Sequence, residues 1–293
     1  MRHAEVADVI PRSATGTIRL GTLRREVLER RATVPSGNGG GAVAESAAET
    51  EAGRGTLGLK GRVAVVTGAS RGLGLAAARK LCASGCDVLI NYAHDDEAAA
   101  QAVESLSGLT GRAEAVKADV CAPGAVTGLL ERAHERYGRV DVLVHNAAAW
   151  TPATLLAADP TVFHHDVRAA LDPLLGAASA LPELMSQGGR VVAVSSSGAH
   201  RVVPKYVSLG VAKAALEALV RYLAAELGRH GIVVNAVSTA KLDKGEGVPG
   251  VLGGRRLTRP EQVADAIALL CTDEADWIRG QVLTVDGGWN LSP

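Results

Sequence analysis

The sequence has no net charge: 31 basic side chains stand against 31 acidic ones. No overall field therefore draws it to nucleic acid or to an anionic membrane. Long apolar runs are also missing, and none reaches the roughly 18–20 residues needed to span a bilayer. The N-terminus does not show the basic-then-apolar order of a secretion signal. Aromatic residues make up only 3% of the chain, which is otherwise rich in Ala, Val, Leu and Gly. Cysteine is scarce, with Cys82, Cys86, Cys121 and Cys271 as the full set. No His or Cys cluster accompanies Cys82 and Cys86, so no metal is expected. Reduced cysteines in a cytoplasmic protein are the simplest reading.

Residues 1–57 differ in texture from the rest. "TLRREVLERR" has the charge density of a short helix, and "PSGNGGGAVAESAAETEAGRG" reads as a flexible linker without apolar period. A flexible N-terminal extension over 1–57 is expected. From Leu59 onward the pattern changes. "RVAVVTG", "DVLINYA", "RAEAVKADV", "VDVLVHNAAA", "GRVVAVSSSG" and "IVVNAVS" are strand candidates, separated by segments of helical spacing. Apolar runs without clear alternation indicate strands covered on both faces. Strand–helix alternation implies parallel βαβ units. The expected fold is one doubly wound α/β domain over 58–293.

"VAVVTGASRGLG" sets Gly68, Gly72 and Gly74 after the first strand and at the head of a helix. Small residues there let the backbone approach a pyrophosphate, and a helix N-terminus favours negative charge. This points to a dinucleotide. An acidic residue at the end of the second strand would select NAD over NADP, but Asn91, Tyr92 and Ala93 stand there. Arg71 lies in the glycine loop and can pair with a 2′-phosphate. NADPH is the expected cofactor, with NADH as the lesser option.

"TGASRGLG", "HNAA" (145–148), "VSSSG" (194–198), "GVAKAALEALVRYLAAEL" and "GQVLTVDGG" occur in one order at compatible spacing. Together they resemble the short-chain dehydrogenase/reductase family over all of 58–293. The resemblance implies a single Rossmann-type doubly wound parallel sheet with helices on both faces. It further implies that Gly68, Ser70, Arg71, Gly72, Leu73, Gly74, Asn91, Asp119, Val120, Asn146, Ala147 and Lys213 meet the cofactor.

Most of that family separates its catalytic tyrosine and lysine by three residues, which here would require a tyrosine at 209. That position is Leu209, and six residues separate Tyr206 from Lys213. Within the family this spacing is most similar to the NADPH-dependent enoyl-acyl-carrier-protein reductases. Both spacings keep the two side chains on one helix face, and the longer one moves the phenol by roughly 4.5 Å along the axis. In carbonyl reduction hydride and proton reach the two ends of one C=O bond. In enoyl-thioester reduction the charge develops on the more distant thioester oxygen, so a displaced acid suits it. Tyr206 and Lys213 are the expected catalytic pair, with Lys213 holding the nicotinamide ribose and lowering the phenol pKa from its ordinary value near 10. Ser196, seventeen residues before Lys213, is the expected third member, able to hydrogen-bond an oxyanion.

Three departures stand out. His145 replaces an asparagine of the family's Asn-Asn-Ala-Gly motif and is read as structural. Asp166 falls where the family often has an asparagine that serves through its backbone carbonyl. "TAKLDKGEGVPGVLGGRRLTRP", in the place of a substrate lid, is glycine-rich and lacks a long apolar helix. The expected substrate is a small or carrier-bound acyl thioester reduced at its enoyl bond. A ketoreductase of secondary metabolism and a non-catalytic dinucleotide sensor are the alternatives. The two long helices around 160–185 and 208–227 should pack across a two-fold axis in a homodimer or homotetramer.

Overall fold

A computed structural model describes residues 57–243, 251–252 and 255–291. Except for Leu57, the expected extension 1–57 lies outside the described residues. So do 244–250 and 253–254 of the glycine-rich segment.

Seven parallel strands form one sheet in the order β3-β2-β1-β4-β5-β6-β9. They are β1 (Val63–Val66), β2 (Asp87–Tyr92), β3 (Ala113–Lys117), β4 (Val142–His145), β5 (Gly189–Ser196), β6 (Ile232–Thr239) and β9 (Val282–Val285). The helices are α1 (Gly72–Ala83), α2 (Asp96–Leu106), α3 (Ala125–Tyr137), α4 (Pro160–Ala177), the single turn α5 (Leu181–Leu184), α6 (Val207–Leu227) and α7 (Pro260–Leu270). A two-stranded hairpin, β7 (Val251–Leu252) with β8 (Arg255–Arg256), lies between β6 and α7.

Each central strand feeds two cores. Ala64 and Val66 of β1, with Val142 and Val144 of β4, belong to the layer that includes Leu81, Ile267 and Leu270. Val63 and Val65, with Leu143, Val191 and Ala193, face Leu174, Leu216 and Val220. Burial on both sides explains the unbroken apolar runs. It also makes one-residue slips costly, because every side chain would change layers.

Neighbouring β1 and β4 run outward in opposite topological directions, β1 towards β2 and β4 towards β5. Their carboxyl ends therefore open a crevice, the usual ligand position in such sheets. The expected long helix around 160–185 is two pieces. Pro173 sits inside α4, where it removes one backbone donor, and the helix ends at Ala177.

Candidate active site

The glycine turn after β1 is shaped for close backbone approach. Gly68 has φ +61°, and a Cβ there would lie 3.1 Å from the Cα of Ala147. A Cβ on Gly74 would come within 2.7 Å of the Asn146 amide nitrogen and 2.9 Å of the Ala69 Cα. Gly72 also has positive φ, but a Cβ on it would meet nothing within 4 Å. The head of α1 thus presents open space in front of its free N–H groups, which fits a pyrophosphate. Arg71 occupies the N-cap of α1 in extended backbone and is exposed, and its side chain forms no ion pair among the described residues. It is available to a phosphate.

The turn is held from β4. The Asn146 amide donates to the carbonyls of Thr67 (2.9 Å) and Gly68 (3.0 Å). The Thr67 hydroxyl accepts from the backbone N–H groups of Asn146 and Ala147, both at 3.0 Å. Asn91 at the end of β2 supports the turn as well. Its side chain is buried, accepts from the Gly68 N–H, and donates to the carbonyls of Val116 and Ala118. These bonds let Asn91 set the shape of the turn. The Leu73 and Val120 side chains likewise belong to the core layers, leaving their backbones at the crevice. Asp119 is exposed and caps the Cys121 N–H; Ser70 lies partly exposed in the glycine turn itself.

Across the crevice, Tyr206 is the N-cap of α6 and lies just outside the helix, with φ −120° and ψ 17°. Helical geometry begins at Val207, so the wheel argument applies to Lys213 but only approximately to the tyrosine. Lys205 before it adopts left-handed φ of +60°, a strained conformation for a residue with a Cβ. This kink turns the Tyr206 ring over Gly198, where any Cβ would sit 2.6 Å from the ring. The Trp150 ring packs against the Tyr206 ring, tilted by 55° with 5.5 Å between centroids. Leu209, at the position of the commoner spacing, is buried with Ala170 and Ala212. A cavity of about 600 Å³ lies against Tyr206, walled by Leu155, Val203 and Val211 among others.

Lys213 is buried and donates to the Val194 carbonyl at 2.7 Å. Burial lowers its pKa to about 8. The expectation for Tyr206 is corrected in direction. Burial pushes its phenol above the ordinary value, and only the hydrogen bond with Ser196 pulls the other way. Lys213 does not contribute, because its ammonium is turned to β5. A phenol kept protonated is the state a proton donor needs. Ser196 ends β5, accepts from the Gly198 N–H at 3.2 Å, and is hydrogen-bonded to Tyr206.

Other side chains complete this wall. Glu217, one turn beyond Lys213, is buried and accepts from the Ser195 hydroxyl and from His200 Nε2 (2.6 Å). It ties α6 to the residue before Ser196. The sequence signal for it was a glutamate on the apolar stripe Leu209–Ala212–Leu216–Val220. His145 is buried, and its Nε2 lies 3.0 Å from the Ala170 carbonyl in the turn preceding Pro173. Desolvation and the charge on Lys213 lower its pKa to about 4. A neutral imidazole bonded to α4 agrees with the structural reading. Between β6 and α7 the described residues form no helix. Lys241–Asp243 pair with Thr258 through backbone bonds, and the β7–β8 hairpin follows. No helix among the described residues is long and apolar enough to cross a membrane.

The family model described as enoyl-(acyl carrier protein) reductase matches residues 68–290. The chain is a short-chain dehydrogenase/reductase. It is 38% identical to 1-cyclohexenylcarbonyl-CoA reductase of Streptomyces collinus, covering 78% of this chain and 87% of that one. It is 31% identical to versicolorin reductase of Emericella nidulans, over 78% of this chain and 96% of that one. Among solved structures, a short-chain dehydrogenase from Burkholderia cenocepacia in complex with NADP superposes with a TM-score of 0.73 at 32% identity. That superposition covers 79% of this chain and 99% of the other. The seven-stranded parallel sheet and the glycine turn after its first strand are thus those of this oxidoreductase family.

Proposed function

We propose that this short-chain dehydrogenase/reductase uses NADPH to reduce the carbon–carbon double bond of an enoyl thioester carried on coenzyme A or acyl carrier protein. The observation that carries the reading is the placement of Tyr206. Its ring stands at the N-cap of α6, beside Ser196 and Trp150, while Leu209 fills the place of the commoner tyrosine with an apolar packing residue. Likeness to a reductase named for an enoyl-CoA substrate supports it.

NADPH, when bound, supplies the hydride. The N-terminus of α1 and the turn at Gly68–Gly74 would hold its pyrophosphate, Arg71 would meet its 2′-phosphate, and Lys213 would hold the nicotinamide ribose. Tyr206 keeps its proton until negative charge builds on the thioester oxygen, then donates to it. Ser196 steadies the phenol through the hydrogen bond it already makes. The cavity beside Leu155, Val203 and Val211 receives the apolar acyl part.

Ketoreduction is the second reading. It is favoured by the Ser196–Tyr206 hydroxyl pair, which suits a single carbonyl oxygen, and by likeness to versicolorin reductase. Exposed apolar residues on α4 (Val162, Leu175) and α6 (Val211, Tyr222) support a homo-oligomer built on those helices. The deciding experiment is NADPH oxidation with crotonyl and acetoacetyl thioesters side by side. Faster turnover of the crotonyl thioester is expected. Exclusive use of the acetoacetyl substrate would establish the second reading, and no turnover of any thioester or ketone would leave a dinucleotide sensor.

A further inference from the structure

We propose that Asp166 is a positioning residue whose single oxygen Oδ2 holds both walls of the Tyr206 site. Asp166 lies on α4 and is almost fully buried. Its Oδ2 accepts from the Thr151 N–H at 2.9 Å and from the Ser208 hydroxyl at 2.7 Å. Its Oδ1 lies 3.5 Å from His165 Nδ1. Thr151 directly follows Trp150, whose ring packs against Tyr206. Ser208 is in the first turn of α6, two residues after Tyr206. A second link between the same walls is the bond from the Ala153 N–H to the Lys205 carbonyl at 3.2 Å. The tyrosine thus sits in a clamp whose two jaws meet at one carboxylate.

The first turn of α6 explains why a carboxylate suits this place. Tyr206 makes no side-chain cap to the helix, so the first N–H groups lack the usual acceptor. A negative group anchored to Ser208 favours that end of the helix dipole. Burying a carboxylate is unfavourable unless donors surround it. Here the donors come from the segments that must be aligned, so the same bonds that satisfy Asp166 set the position of the phenol. This role acts through Tyr206 and rests on its assignment as the acid.

The test compares Asp166→Ala, Asp166→Asn and Ser208→Ala in the full chain. Loss of the clamp lets the phenol drift, and a displacement of about 1 Å lowers turnover on the order of a hundredfold. Asp166→Ala should therefore lower kcat strongly and leave KM for NADPH unchanged, because the glycine turn is held from β4. Asp166→Asn retains an accepting oxygen and should recover most of the rate. Ser208→Ala should fall between. Tryptophan emission reports the geometry without turnover: Asp166→Ala should shift it, and the shift should vanish in a Trp150→Phe background. Parental kcat in Asp166→Ala, an asparagine variant as poor as alanine, or an emission shift that persists without Trp150 would each overturn the proposal. Should Asp166→Ala fail to fold, Ser208→Ala and Asp166→Asn carry the same comparison. If Tyr206→Phe leaves turnover intact while Asp166→Ala still moves Trp150, the acid assignment fails and the clamp stands.

Discussion

The two sides of the crevice are held by different means. On the β1–β4 side the cofactor turn is fixed by backbone conformation and by amides: Gly68 and Gly72 in positive φ, Gly74 packed against the turn, Asn146 and Asn91 bonded to carbonyls and N–H groups. On the β5–α6 side the arrangement depends on buried charges, with Lys213 on the Val194 carbonyl, Glu217 on Ser195 and His200, and Asp166 on Thr151 and Ser208. The first kind of site tolerates almost no added volume. The second depends above all on keeping its partners, because a buried donor or acceptor left alone costs about 1–3 kcal/mol. Under the proposed function the difference has a chemical reason as well. A pyrophosphate is the same in every turnover, whereas an acid must meet charge that exists only in the transition state.

Adding a single methyl group on the cofactor side gives the largest expected effect. Gly74→Ala would drive its Cβ against the Gly68 carbonyl and the Asn146 amide, so the turn must open. NADPH binding, read by fluorescence titration, should be lost, while a methyl at Gly72, with open space before it, perturbs the turn through backbone strain alone. Equal affinity in the Gly74→Ala variant and the parent would show that the turn is not the phosphate site.

On the other side, Tyr206→Phe removes one hydroxyl and little volume. Turnover should fall by roughly two to three decades, the usual worth of a donor to a developing oxyanion, about 3–4 kcal/mol. NADPH affinity should stay at the parental value, since the phenol acts in the transition state. Unchanged turnover would transfer the proton to Ser196 or solvent. Combining Tyr206→Phe with Leu209→Tyr restores the commoner spacing. Any activity recovered should favour the keto over the enoyl substrate, although the new ring must enter the apolar cluster of Ala170 and Ala212.

Arg71→Ala comes third in size of effect. A charge-assisted hydrogen bond is worth about 1.5–3 kcal/mol, so KM for NADPH should rise by roughly tenfold to a hundredfold. KM for NADH should change little, because it lacks the 2′-phosphate. Equal rises for both cofactors would mean that Arg71 meets the pyrophosphate instead.

The comparison also explains what could be read from the sequence. The cofactor side is local: glycines at 68, 72 and 74 and the Asn146 motif each lie within a short segment beside a strand, so periodicity and turn chemistry reveal them. Six of the seven strands and their parallel direction follow from the same regularity. The acid's side is assembled from distant segments. Nothing in "AAAWTPA" or "FHHDVRAAL" announces that Thr151 and Asp166 meet, or that Trp150 packs on Tyr206. The kink at Lys205 and the inward turn of the Asn91 amide are tertiary outcomes too. The phenol's upward shift was missed for a related reason. Spacing brings Lys213 onto the right face but does not tell that its ammonium is satisfied by the Val194 carbonyl.

Lys213 gives the smallest and most discriminating prediction, since it serves both sides. Its pKa is lowered to about 8 by burial, against an ordinary value near 10.4 in the unfolded chain. Below pH 8 the ammonium is charged in both states, and its burial opposes folding. Between pH 8 and the unfolded value the native protein has released a proton that the unfolded chain still holds, so this residue's contribution to stability improves as pH rises. Cofactor binding should move the opposite way, because a neutral amine attracts the ribose and the nearby phosphate charge less than an ammonium does. NADPH affinity should therefore begin to fall as pH passes 8, by a few-fold per unit at most, while Tm corrected for the other groups does not fall with it. In Lys213→Met the break near pH 8 should disappear, because methionine has no group that titrates there, while the Val194 carbonyl loses its donor and Tm falls modestly. A break that persists in Lys213→Met would assign the titration to another group and remove Lys213 from the cofactor contact.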